Sequence, residues 1–300
     1  MRILVTGATG FVGPHLIRRL SAKHEVAVLL RPQARTQRLA GINPAPKQLV
    51  WDGVATSLAP LLETFHPDAV MHLATSFFGS VHKTEDIDAM IDGNVRFPSV
   101  LVDAMVKIGC KNLISTGSIA QHCNNATYAP LNLFAASKQA FADILTYFIN
   151  VGGLGRAVTV ELADTFGPDD PRTKLLQMLM KSAASGEALG MSPGGQHVDF
   201  THVDDVVSAF ERALELVFEL PMGQQRTYAV RSNKPMTVKA FVELFNSINT
   251  KPAKVEWGKR NYHGPEFLTP WQQGEMLPGW KPTISLQDGL TALLKTQRAA

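Results

Sequence analysis

Residues 1–13 read MRILVTGATGFVG, and this stretch decides the fold. Ile3-Leu4-Val5 is a short apolar run with β-branched residues, the pattern of a strand buried on both faces. Thr6-Gly7 closes it, and helical text runs from Gly13 to Ala22. Between strand and helix the glycines fall as Gly7-x-x-Gly10-x-x-Gly13. A side chain at Gly7 or Gly10 would hold the backbone away from a pyrophosphate, while Gly13 lets the helix pack close to the strand. The free N–H groups and positive dipole end of the helix then face the phosphates. Pro14 fits the first turn, where no N–H bond is needed. A glycine triplet alone is weak, because turns are rich in glycine. Between an apolar strand and an apolar helix it predicts a dinucleotide cradle contacted by Gly7, Thr9, Gly10, Phe11 and Val12.

Downstream, strands and helices alternate. Glu25–Leu30, Gln48–Trp51, Asp68–Leu73, Asn112–Ser115 and Ala157–Leu162 read as further strands. Asn94–Ile108 and Leu133–Asn150 carry apolar residues at helical spacing. Such alternation predicts an α/β fold, a doubly wound parallel sheet of the Rossmann kind with helices on both faces. After Phe166 the pattern changes. Gly167–Pro171 is a loop, Lys174–Ser185 and Val203–Leu220 read as helices, and the remainder is Pro- and Trp-rich and reads as irregular. The expected division is a dinucleotide domain over 1–163 plus about 197–220. A smaller, discontinuous substrate lobe takes about 164–196 plus 221–300.

Composition excludes several classes. Apolar residues make up 45% and charged residues 18% of the 300, too apolar and too little charged for a disordered chain. Net charge is +3 with no run of five Lys or Arg, so no nucleic-acid surface is expected. No stretch of 18 apolar residues predicts a membrane span. A strand beginning at Ile3 leaves no room for a signal peptide. Two cysteines, Cys110 and Cys123, make no framework, and a reducing cytoplasm is expected. The nine histidines show no HxH or HExxH spacing, so no metal is expected.

On these motifs the chain resembles the extended short-chain dehydrogenase/reductase family over nearly its whole length. TGATGFVG matches the family's TGxxGFxG. Trp51-Asp52 looks like the acidic position that meets the adenine, followed by Gly53. His72-Leu73-Ala74, with Thr75 next, looks like the HLA segment after the fourth strand, and Asn94-Val95 like its helix-opening NV. Ser137-Lys138 looks like the end of YxxSK, Phe166-Gly167-Pro168 like YGP, and Asp199 to Asp205 like DFxHVDD. Within the family, PLNLFAASKQAF and ADTFGPDDPRTKLL are most similar to the branch of nucleotide-sugar epimerases, dehydratases and reductases, of the CDP-abequose/paratose synthase type. The resemblance implies a nicotinamide cofactor contacted by Asp52, Gly53, Leu73, Ala74, Thr75, Asn94 and Lys138, and a nucleotide-sugar substrate.

An acid after the second strand would bind a ribose 2′-OH and repel a 2′-phosphate. Here the strand is followed by Arg31 and Arg35 with no acid, which predicts NADP over NAD. The family places a tyrosine four residues before the lysine, where the phenol exchanges a proton while a hydroxyl steadies the carbonyl oxygen. That position is Phe134, which has no proton to give. Ser118 is the expected hydroxyl donor, with Thr116 as the alternative. Three explanations stand open for Phe134. One is a Tyr-to-Phe change engineered to trap substrate. Another is a rewired site using Tyr128, His122, Cys123 or Asp164, and the third is a cofactor-binding protein without turnover. For the substrate, Asp164 and Thr165 follow the sixth strand, and Lys174 opens the next helix. The arginine the family commonly has before Asp199 is Val198 here, so Gln196, His197, Arg231 and Arg260 are the candidate replacements. The helices 94–108 and 133–150 are apolar on more than one face, and the resemblance implies that they pair with a second subunit in a homodimer.

Overall fold

The computed structural model describes residues 1–79, 81–262 and 266–299. Its centre is a sheet of seven strands: β1 (Arg2–Thr6), β2 (Glu25–Leu30), β3 (Lys47–Val50), β4 (Ala69–His72), β5 (Asn112–Ser118), β6 (Arg156–Leu162) and β7 (Gln224–Val230). All neighbours are parallel, in the order β7-β6-β5-β4-β1-β2-β3. The order reverses between β1 and β4. Connections leave these two strands toward opposite faces, so a crevice opens at their carboxyl ends, where doubly wound sheets take their ligands.

Nine helices are described: α1 (Val12–Ser21), α2 (Ala55–Glu63), α3 (Ile87–Ile91), α4 (Phe97–Lys107), α5 (Leu133–Asn150), α6 (Leu175–Ser185), α7 (Val203–Glu219), α8 (Val238–Ile248) and α9 (Leu286–Ala299). Successive strand residues point to opposite faces. Ile3, Val5 and Val28 therefore join the core under α1 and α7, while Leu4, Ala27 and Val70 join the core under α2, α4 and α5. A third core gathers Phe166, Leu179, Phe200, Phe241, Phe245 and Leu290 from the later elements. The short strand Asp164–Phe166 pairs in parallel with Phe200–His202 beside it.

Two features differ from the expectation. Gln224–Val230, expected in the substrate lobe, is the outer strand β7, in register with all of β6. The chain thus returns to the sheet after α7. The segment read as irregular also holds α8 and α9. Thr237 caps α8 by accepting the Ala240 N–H at 3.1 Å, and Ser285 accepts the Asp288 N–H at 3.1 Å at the start of α9. Local caps and the buried Phe241, Phe245, Leu290 and Leu294 outweigh the proline-rich surroundings.

Candidate functional site

The crevice begins with the glycine loop. Gly7 has φ +74°, and a Cβ there would stand 2.6 Å from Ala74 N and Leu73 C. The end of β1 thus touches the backbone beyond β4 directly. Thr6 Oγ1 fixes the contact, 2.8 Å from His72 Nδ1 and accepting the Ala74 N–H at 3.2 Å. The Gly10 N–H closes the turn on the Gly7 carbonyl at 3.0 Å. A Cβ at Gly13 would overlap the Gly7 and Ala8 carbonyl oxygens, so this glycine serves the packing of the loop itself. Phe11 begins α1 with no side-chain cap, and the first turn holds no acid. Its N–H groups and positive end are left for an anion. These features, a side-chain-free approach and an uncapped helix start, fit a dinucleotide pyrophosphate.

Arg31 and Arg35 are exposed beyond β2. A third arginine, Arg38, is the one the sequence reading missed. A 3₁₀ turn (Gln37–Leu39) brings it back over the glycine loop, where it donates to the Gly10 carbonyl at 2.6 Å and to the Asp169 carbonyl. The signal was a third arginine in the same loop, but nothing local shows that the chain turns back. From the other side the Arg172 guanidinium lies 4.4 Å above the Phe11 ring, itself clamped by Asp170 at 2.7 Å. Asp52 is exposed, and its Oδ1 accepts the Ser57 hydroxyl at 2.6 Å and the Val54 N–H at 2.9 Å. Those bonds hold its carboxyl below the usual range and organise the entry to α2. Gly53, at φ +90°, turns the chain there.

Asn94 is bonded within the scaffold. It was expected at the cofactor, and it is buried on the π-helical turn Asp92–Arg96. Its amide oxygen accepts from Thr75 Oγ1 and Ser76 N, and its NH₂ donates to the Ser76 carbonyl and Ser137 Oγ, all at 2.8–2.9 Å. Four bonds saturate an amide. Asn94 therefore positions residues 75–76, after Leu73 and Ala74, against the helix that carries Lys138.

Lys138 is buried near the carboxyl ends of β4 and β5. Its Nζ donates to Thr116 Oγ1 at 3.3 Å and stands 5.9 Å from the Phe134 ring centre. Burial lowers its pKa to about 8. Thr116 in turn donates to the His72 carbonyl at 3.3 Å. Burial, with the charge of Lys138, keeps His72 neutral down to about pH 3. Ser118 lies two residues on, on the same side of β5, and its Oγ accepts the Ala120 N–H at 3.2 Å. The hydroxyl in contact with Lys138 is thus that of Thr116, the alternative to Ser118 as the donor to the carbonyl oxygen. Phe77 meets Phe134 edge to face at 5.1 Å and completes an aromatic wall.

The four groups considered as substitutes for the phenol are placed otherwise. His122 stacks on Trp271 at 4.3 Å with both nitrogens engaged, by the Thr127 carbonyl at 2.6 Å and by Glu161 Oε1 at 3.1 Å. Burial lowers its pKa, but the bond and charge of Glu161 outweigh that and raise it. Gly117 leaves the room that Glu161 fills. Cys123 Sγ points to the Glu266 carbonyl at 3.6 Å, and Tyr128 is half exposed. Asp164 accepts Lys174 Nζ at 2.7 Å. Burial raises its pKa, and the Lys174 charge and hydrogen bond more than reverse this.

Asp164 also lines a narrow cleft with Ile119, His197, Asp199, Arg231 and Trp271. His197 Nδ1 is buried without a hydrogen-bond partner among the described residues. Thr165 is buried and its carbonyl accepts Arg172 at 2.8 Å, while Gln196 exchanges hydrogen bonds with Ser192. Arg231 is also bonded within the protein. Its guanidinium donates to Asn233 Oδ1 and the Trp271 carbonyl at 2.7 Å and to the Gln272 carbonyl at 2.8 Å, with its face 5.0 Å from the Trp271 ring. It ties down residues 271–274 beside the cleft. Among the described residues no group of three His, Cys, Asp or Glu converges on a metal position, and no helix is long and apolar enough to cross a membrane.

Residues 3–228 match the model of the family described as "NAD dependent epimerase/dehydratase family". CDP-abequose synthase of Salmonella typhimurium is 25% identical over 299 residues, covering 98% of this chain and 97% of that one. UDP-glucose 4-epimerase of Mycolicibacterium smegmatis is 26% identical over 319 residues, covering 97% and 96%. In fold the chain is similar to UDP-glucuronic acid 4-epimerase from Bacillus cereus, solved with UDP-glucuronic acid and NAD, at a TM-score of 0.85, 21% identity and coverage of 100% and 99%.

Proposed function

The chain belongs to the NAD dependent epimerase/dehydratase family, and from that premise we propose that it reduces or epimerises a nucleotide-activated keto-deoxysugar with NADP. The observation that carries this is the meeting of the uncapped glycine cradle and the Lys138–Thr116 contact at one end of the sheet. The N–H groups of Phe11 and Val12 hold the diphosphate above the Gly7–Gly10 turn, and Lys138 holds the nicotinamide ribose. Arg31, Arg35 and Arg38 receive the 2′-phosphate, in the absence of any acid at the end of β2. When bound, the nicotinamide supplies hydride exchange with a sugar carbonyl carbon. Ser118 donates to the carbonyl oxygen, Asp164 accepts a sugar hydroxyl, and Phe77 with Phe134 excludes water. His197, whose Nδ1 has no partner among the described residues, and Lys174 take the nucleotide side. Like the relatives named above, the chain takes a nucleotide-linked sugar, and the match to CDP-abequose synthase favours a CDP-linked keto-deoxysugar. Helices α4 and α5 pair with a second copy, so light scattering reads about twice the 32.7 kDa of one chain.

A thermal-shift panel of CDP-, dTDP-, UDP- and GDP-sugars with NADPH present tests the substrate class. A true ligand at a hundred times its Kd stabilises the fold by about 2.7 kcal/mol. No shift across the panel sinks this reading. It would favour a dinucleotide sensor without turnover, to which Phe134 alone points, or a reductase of some other carbonyl compound.

A further inference from the structure

Phe134 removes the phenol, yet a proton must still reach the carbonyl oxygen when a carbonyl is reduced. We propose, resting on the reductase reading above, that Lys138 is itself the proton donor, its ammonium steered by Thr116 toward the crevice. The geometry supports this in three ways. Lys138 is 6% exposed, and Thr116 is its one hydrogen-bond partner among the described residues. That partner's own proton goes to the His72 carbonyl, so Thr116 accepts from the ammonium without taking its place. Two N–H groups of Lys138 are left over, beside the Phe134 ring. Of the other candidates, His122 is engaged with Glu161 and Thr127, Asp164 with Lys174 and Cys123 with a backbone carbonyl, while Tyr128 is half exposed to solvent.

The step balances. The carbonyl carbon gains a hydride from the reduced nicotinamide dinucleotide, and the carbon–oxygen π bond opens. The oxygen takes a proton from Lys138 Nζ as that N–H bond breaks, leaving an alcohol and a neutral amine. Solvent returns the proton to the amine once the product has left. Around Nζ stand Thr116 on β5, His72 on β4 and Phe134 on α5. Of these His72 alone is titratable, and it stays neutral at working pH. Burial therefore sets the acidity of Lys138 with no counter-charge among these neighbours, at about 8, near the working pH of an acid catalyst.

Two measurements on the full chain test the proposal. The first follows ¹³Cε-lysine resonances of the cofactor-free protein with pH. One resonance titrates near 8 and is missing in Lys138→Arg. The second follows single-turnover hydride transfer from NADPH to a CDP-linked 4-keto-6-deoxysugar over the same pH range. The rate falls about tenfold per pH unit above that pKa. Lys138→Arg keeps the cation but releases no proton there. At saturating NADPH, with occupancy read by calorimetry, it loses on the order of 10²-fold or more in transfer, with a flat profile. If that variant does not fold, Phe134→Tyr serves instead, because a restored phenol moves the alkaline fall to higher pH. The proposal is overturned if every lysine titrates in its ordinary range, if wild-type transfer is flat through that range, or if Lys138→Arg transfers at the wild-type rate. These outcomes leave the reductase reading standing, since NADPH and sugar binding are read by calorimetry in the same samples. Absence of that binding overturns both.

Discussion

Gly7→Ala separates the packing claim at the switch point from glycine's general freedom. The new methyl meets backbone atoms only, Ala74 N and Leu73 C at 2.6 Å and the Leu73 carbonyl oxygen at 2.8 Å. No side chain can rotate away, so β1 and the segment after β4 must part. Such overpacking costs roughly 1–3 kcal/mol. The left-handed backbone at φ +74° adds about 1–2 kcal/mol for any residue with a Cβ. Gly109 is the internal control. It has φ +75°, nothing within 4 Å, and it lies at the opposite end of the sheet. Gly109→Ala therefore costs the backbone term alone. For a chain of this length about 0.6 kcal/mol shifts Tm by one degree, so Gly7→Ala lowers Tm by about 3–8 °C and Gly109→Ala by about 2–3 °C. Calorimetry adds a second readout: NADPH affinity falls by about tenfold or more in Gly7→Ala, because the moved backbone is the cradle, and holds in Gly109→Ala. Equal Tm losses, or unchanged NADPH affinity in Gly7→Ala, would refute the close approach as the reason for this glycine.

Arg31→Ala and Arg38→Ala each weaken NADPH by about tenfold, the worth of one charge-assisted hydrogen bond, and NADH by less. The ratio of dissociation constants reads this, and tighter binding of NADH by the wild type would remove the case for NADP. Glu161→Gln takes the charged partner from His122, whose pKa the folded state raises. That pair contributes fully below the unfolded histidine pKa near 6.5 and is lost as pH rises through the higher folded value. The variant thus loses about 1–3 kcal/mol at pH 6 and less at pH 8.5, read by thermal unfolding, and a loss independent of pH would refute the ion pair.

The parallel strands were legible because each is a short apolar run, and the cradle because its glycines sit between strand and helix. Their order across the sheet was not, because no strand's own residues say which neighbour it pairs with. What stayed hidden depended on the path of the chain. Arg38 looks like a loop charge until the turn at 37–39 folds it onto Gly10. Arg231 looks like a free cation until residues 271–274, forty positions away, bring three carbonyls to it. The partners of Asn94 were hidden too, since Ser76 and Ser137 reach it only in the fold. The caps of α8 and α9, at Thr237 and Ser285, were readable, but proline and tryptophan nearby suggested irregular chain. Phe134 was plain in the sequence, while the burial of Lys138 beside it was not, because a lysine on an isolated helix reads as solvated.

The most direct measurement of the central claim is isotope transfer. The protein is mixed in single turnover with NADPH carrying deuterium at the transferable position and a CDP-linked 4-keto-6-deoxysugar, and the sugar is read by mass spectrometry. Deuterium on the sugar carbon is the predicted result. An unlabelled sugar, while calorimetry shows both NADPH and the sugar bound, would contradict it.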